Sequence, residues 1–162
     1  MEPVRAGVTR EGLDALKVLP GTEWMTAGLS STVTDGASAV VVMSGDKARE
    51  LKVTPLVRIV ANAVVGSDPV YMLTGPLVAT PKVLDKAGLT MDDIDIFEVN
   101  EAFAPIPLAW VKELSAPMDK LNVNGGAMAL GHPVGNSGCR LTVTAINELK
   151  RRKAKRALVT LC

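Results

Sequence analysis

The 162 residues carry 18 Lys and Arg against 17 Asp and Glu, so the net charge is +1 with the single histidine neutral, a balance that argues against a broad nucleic-acid surface. Hydrophobic residues make up 48% and charged residues 22%, which argues against disorder and for one ordinary domain with a buried core. Two cysteines and one histidine exclude a zinc site built from protein ligands and a disulfide framework, and free thiols fit an intracellular, reducing compartment such as the cytoplasm.

In chain order, Thr9 to Leu13 opens a short helix with Leu16 and Leu19 on its apolar side, and Pro20-Gly21 ends it. Thr26 to Ser38, rich in small and hydroxyl residues, is either a loop or the start of a tightly packed helix. Ala39 to Met43, AVVVM, is an apolar run expected to form a buried strand, and Leu56 to Val65 is expected to form a second. Between them Gly45 to Leu51 is a short surface helix. Pro69 to Pro76 reads as loop and Thr80 to Ala87 as helix, stopped by Gly88 in the manner of a residue that follows a helix end. Asp95 to Val99, DIFEV, reads as a compact strand.

Ala102 to Leu114 has a helical pattern interrupted by Pro105 and Pro107, which puts the start of the helix proper near Pro107. Gly138 to Arg152 is the strongest helix, with Leu141, Ala145, Ile146 and Leu149 as its apolar stripe. The basic run Lys150 to Lys155 suits its C-terminal end, where cations favour the helix dipole. Arg156 to Cys162 is a last strand, and ending there leaves an exposed edge or an unfinished fold. Strands alternating with helices predict a layered α/β fold. No apolar run reaches the roughly 18 residues of a membrane span, and no signal peptide is read at the start.

Three places carry candidate chemistry. Asn100 directly follows the DIFEV strand, where α/β proteins turn side chains into a ligand crevice. Its amide either serves an oxyanion or caps the next helix with Glu101 in the first turn. His132 lies in VNGGAMALGHPVGNSGCR, Val123 to Arg140, among Gly125, Gly126, Gly131, Gly135 and Gly138. So many glycines permit close backbone approach around one imidazole that can donate to a carbonyl oxygen or move a proton. The dinucleotide fingerprint G-x-G-x-x-G is absent from this loop. Cys162 is either a proton-transfer group or a small buried hydrophobe, whereas Cys139, inside an apolar helix, suits the latter role. Ser30, Ser31 and Thr32 either line a pocket or cap a helix.

The loop around His132, together with EVNEAFA at Glu98 to Ala104, resembles the C-terminal half of the thiolase family, the acetyl-CoA acetyltransferases and 3-ketoacyl-CoA thiolases. Thr26 to Ser44 and Asp68 to Thr80 resemble their counterparts, and Cys162 resembles the first residue of the family's C-x-G-G-G segment. His132 follows Asn100 by 32 positions and precedes Cys162 by 30, spacings similar to the family's own.

The resemblance implies a mixed β-sheet covered by helices, with the final strand missing. It implies an entry segment over residues 1–30 from an N-terminal half and an incomplete C-terminal domain over 31–162. It implies that Asn100, through a water, and His132 form an oxyanion hole. It assigns Cys162 the part of proton-transfer acid and base, and sets Ser31, Ala102 and Phe103 along the pantetheine of coenzyme A.

Coenzyme A and acyl-CoA are then substrates, with no permanently bound cofactor and no metal. The family's acyl-accepting cysteine belongs to the N-terminal half, and only Cys139 and Cys162 are present here. The expectation is therefore a chain that works with an N-terminal half in a homo-oligomer, inactive alone; the alternative is an inactive coenzyme A-binding or dimerisation module.

Overall fold

The computed structural model describes residues 4–162. The elements are α1 (Arg10–Asp14), α2 (Gly45–Glu50), α3 (Gly75–Ala87), β1 (Ile96–Val99), α4 (Pro105–Leu114), α5 (Ala127–Leu130), α6 (Ser137–Arg152) and β2 (Ala157–Thr160). Strands β1 and β2 pair in parallel, with Phe97 opposite Leu158 and Val99 opposite Thr160. Along the other edge of β1, Leu121 makes a parallel bridge to Phe97, and just beyond the strand Ser30 makes an antiparallel bridge to Phe103. Pairing of both senses thus occurs, and helices cover it, giving the α/β arrangement that the alternation of elements predicts.

Side chains alternate across a strand, and β1 uses its two faces differently. Phe97 and Val99 join Leu84, Ile94, Trp110, Ala116 and Leu158 in the hydrophobic core under α3 and α4. Phe97 and Trp110 meet edge to face with ring centroids 5.2 Å apart. The indole Nε1 donates to Thr80 Oγ1 at 2.9 Å, so this large ring is buried without an orphaned donor. The opposite face presents Ile96, Glu98 and Asn100 to α6.

Several elements differ from expectation. Residues 39–43 and 56–65 lie outside any ladder, and Val41 and Val64 are 85% and 87% exposed. An apolar β-branched run becomes a strand only where another edge accepts its backbone hydrogen bonds, and none does here among the described residues. Two carbonyls of the second run, Asn62 and Val64, instead accept Lys86 Nζ at 3.1 Å and Lys82 Nζ at 3.5 Å from α3.

Helix α3 starts at Gly75 rather than Thr80, because Pro76 suits a first turn. Helix α4 starts at Pro105 rather than Pro107, since both prolines fall in the turn whose N–H groups have no intrahelical partner. The short helix α5 is not read from the sequence at all. Gly88 does end α3 in the left-handed conformation, at φ 65°. Leu16 and Leu19 lie beyond α1 and are exposed. No helix among the described residues is long and apolar enough to cross a membrane.

Candidate active site

Four segments converge at the carboxyl end of β1. The first is Asn100, fully buried, whose backbone N–H donates to Thr160 O at 3.0 Å and extends the ladder by one step. Its place in that ladder is why it does not cap α4, whose N-cap is Ala104. The second is the histidine loop. The His132 backbone N–H donates to Thr32 O at 2.9 Å. Its Nε2 lies 3.3 Å from Asn100 Nδ2, and its Nδ1 lies 2.6 Å from Ser137 Oγ. Burial, and secondarily the Arg140 guanidinium, hold the imidazole below its ordinary pKa, so the ring is neutral at pH 7.

The third segment, residues 29–32, is stitched to the fourth, 102–104. Ser31 N donates to Ala102 O at 3.0 Å and Ala104 N to Leu29 O at 2.9 Å. Ser31, Ala102 and Phe103 are thereby brought side by side, Ala102 buried and Phe103 37% exposed. None of the three hydroxyl residues here caps an α-helix. Ser30 Oγ donates to Thr26 O at 3.1 Å, within its own turn.

Two glycines set how closely these segments approach. A Cβ on Gly126 would fall 2.0 Å from Glu101 Cδ. One on Gly131, whose φ of +91° already disfavours other residues, would fall 2.1 Å from Thr34 Oγ1. Glu101 fills the space that Gly126 leaves. Its Oε1 accepts Asn122 Nδ2 at 2.7 Å and its Oε2 accepts Met128 N at 3.1 Å in the first turn of α5. Asn122 in turn behaves like a neighbouring strand. Its Oδ1 accepts Val99 N at 2.8 Å and its Nδ2 donates to Val99 O at 2.9 Å.

Cys162 lies two residues beyond Thr160, at the same end of the sheet as Asn100. It lines a groove of about 610 Å³ between residues 61–65 and the end of β2. The residue is exposed, and no hydrogen bond among the described residues ties its thiol to His132 or Asn100. Partial withdrawal from water pushes the thiol above its ordinary pKa, and the opposing influence is a backbone hydrogen bond rather than a cation. The site therefore joins Asn100 to His132 and Ser31 to Ala102 and Phe103, with the cysteine standing apart. Cys139 is half-buried on α6.

Sequence reasoning does not single out Glu98, Asn122, Ser137 or Arg140, and treats Glu101 only as a first-turn acid. Glu98 is fully buried with both carboxylate oxygens unpartnered, and the three guanidinium nitrogens of Arg140 are likewise buried and unpartnered. Burial raises the Glu98 carboxyl to about 7, against the attraction of Arg140 and with help from Glu101 and Glu148. One signal is available: Glu98 is the single polar residue among Ile96, Phe97, Glu98 and Val99.

Against this geometry, comparison with known proteins is specific. The family described as thiolase, C-terminal domain, matches residues 53–162. The 3-ketoacyl-CoA thiolase of Cronobacter sakazakii is 49% identical over 166 aligned residues, which cover 99% of this chain and 43% of that protein. The acetyl-CoA acetyltransferase of Pseudomonas aeruginosa is 48% identical, with 99% of this chain and 41% of that one covered. The crystal structure of human mitochondrial 3-ketoacyl-CoA thiolase in complex with CoA superimposes with a TM-score of 0.96 at 46% identity, over 99% of this chain and 41% of the human one. The chain thus spans about two-fifths of the length of these relatives. It belongs to the thiolase family and carries that family's C-terminal domain.

Proposed function

We propose that this chain supplies the oxyanion-hole side of a thiolase active site, for coenzyme A-dependent cleavage of a 3-ketoacyl-CoA or the reverse Claisen condensation. The observation that carries this reading is the Asn100–His132 pair, held 3.3 Å apart at the carboxyl end of β1. Forming a carbanion beside a thioester moves negative charge onto the carbonyl oxygen. A fixed Nε2–H of His132 and a water on Asn100 stabilise that oxygen without reorganising.

Cys162 takes the proton as thiolate and returns it as thiol. Its raised pKa means that the cleft of a complete enzyme must lower it, and an N-terminal half is the source of that closure. Ser31, Ala102 and Phe103 lie along the pantetheine arm of coenzyme A, which enters as substrate. The acyl-accepting cysteine comes from the N-terminal half, joined through residues 1–30, and the assembled protein is a dimer or tetramer working in the cytoplasm.

The test is to fold this chain with an N-terminal thiolase half and follow loss of acetoacetyl-CoA enolate absorbance on adding coenzyme A. Turnover is expected from the pair and from neither half alone. It should fall roughly 10²–10³-fold in His132→Ala. Two folded, associated halves with no turnover would overturn the reading. The separation of the exposed Cys162 from the Asn100–His132 pair favours a second reading, a coenzyme A-binding or dimerisation module without chemistry. Saturable calorimetric binding of coenzyme A by the inactive pair would select it.

A further inference from the structure

Ser137, in the first turn of α6, is completely buried, and its hydroxyl has one hydrogen to place. Two acceptors are in reach, His132 Nδ1 at 2.6 Å and Pro133 O at 3.1 Å. The carbonyl already accepts two backbone donors, Asn136 N at 2.8 Å and Ser137 N at 2.9 Å, so both of its lone pairs are engaged. The imidazole nitrogen is nearer and, in one of the two neutral tautomers, has a free lone pair.

We propose that Ser137 is a positioning residue that donates to Nδ1 of His132 and thereby keeps the ring proton on Nε2, facing Asn100. This rests on the oxyanion-hole reading for its purpose but not for its test. A neutral imidazole has one donor and one acceptor, and which nitrogen carries the proton is set by the bond the other makes. Only the Nε2–H form can donate to a developing oxyanion.

Asn100 is compatible with the assignment. With Nδ2 toward the ring, its Oδ1 is buried and without a partner. The opposite amide orientation places Oδ1 on Nε2–H and leaves Nδ2 as the unpartnered end instead, so the amide accommodates an Nε2–H ring without deciding the tautomer. Asn100 then holds the ring proton until a substrate oxygen takes its place. The competing arrangement runs the other way, from Asn100 Nδ2 to Nε2 and from Nδ1–H to Ser137 Oγ. It would have Pro133 O accept a third hydrogen, and that crowding is what sets the two arrangements apart.

Because His132 is the single histidine, nitrogen-15 labelling of histidine reports one ring, and the chain itself serves as the sample. At roughly pH 8, above the ordinary imidazole range, Nε2 is expected to resonate as a protonated nitrogen and Nδ1 as an unprotonated one. In Ser137→Ala the two resonances should move toward each other as the tautomers mix, and Ser137→Thr, which keeps the hydroxyl, should restore their separation. A parent spectrum with the proton on Nδ1 overturns the proposal without any variant. An unchanged spectrum in folded Ser137→Ala overturns it too. Turnover enters none of these outcomes, so they stand apart from any failure of the thiolase reading.

Discussion

Glu98 and Glu148 lie on either side of the same helix-to-strand interface and respond to pH in opposite senses. Burial raises Glu98 from 4.5 to about 7 in the folded chain. The unfolded chain therefore ionises first, and stability falls as pH rises from 4.5 to about 7, then levels off. Glu148 is lowered from 4.5 to about 2, chiefly by Arg151 and then by Asn124. Its contribution is complete above 4.5 and is lost as pH falls toward about 2. Urea unfolding across this range should show maximal stability near the ordinary carboxylate pKa. Glu98→Gln should abolish the decline on the neutral side and exceed the parent at pH 8 by roughly 1–3 kcal/mol. A parental slope in that variant would refute the assignment. At the same scale, Asn100→Ala should lower kcat of the complemented enzyme about 10²-fold or more with KM little changed, since the oxyanion contact is made in the transition state. A rise in KM alone would place Asn100 in binding instead.

At the scale of elements, the histidine loop depends on two close approaches. Gly131→Ala combines an unfavourable φ with a Cβ against Thr34, and should cost roughly 1–3 kcal/mol in denaturant unfolding. Glu101→Ala strips acceptors from Asn122 Nδ2 and Met128 N and should cost a similar amount, roughly 1–3 kcal/mol. A neutral result at either position would mean that the loop is held by something else. These same contacts mark what a sequence can and cannot disclose. The strand within DIFEV, Leu141 and Ala145 in the stripe of α6, and the glycine stop after α3 are legible because each is a local signal, whereas Ile146 and Leu149 of the expected stripe are only half-buried. The runs 39–43 and 56–65 were misread because apolar composition says nothing about whether an edge is available. The position of Glu148 in the buried stripe of α6 was hidden as well, since its place there depends on Asn124, Arg151 and Arg152. Glycine density singles out His132 and strand-end position singles out Asn100 and Cys162, while the role of Cys162 comes only from the family resemblance. Ser137 and Arg140 matter only through contacts made in three dimensions.

For the molecule as a whole, order is concentrated around β1. Amide hydrogen exchange should be slowest at Phe97, Val99 and Leu158 and fast throughout 39–43 and 56–65, where backbone groups lack ladder partners. Equal protection in both regions would show that those runs find a partner edge in solution. The free side of β2 faces the groove, and such an edge invites pairing with another chain. Sedimentation of the chain alone should therefore reveal self-association that rises with concentration, and a concentration-independent monomer would count against it. The stitching of residues 29–32 to 102–104 and to His132 runs wholly through main-chain N–H and C=O groups. Scaffold and lining are for that reason separately inherited: substitutions at Leu29, Ser31 or Thr32 can reshape the wall of the cleft while the framework that carries the imidazole keeps every one of its bonds. Under the proposed function, side-chain changes on this wall would alter the contact with the pantetheine arm and leave the main-chain bonds behind it in place.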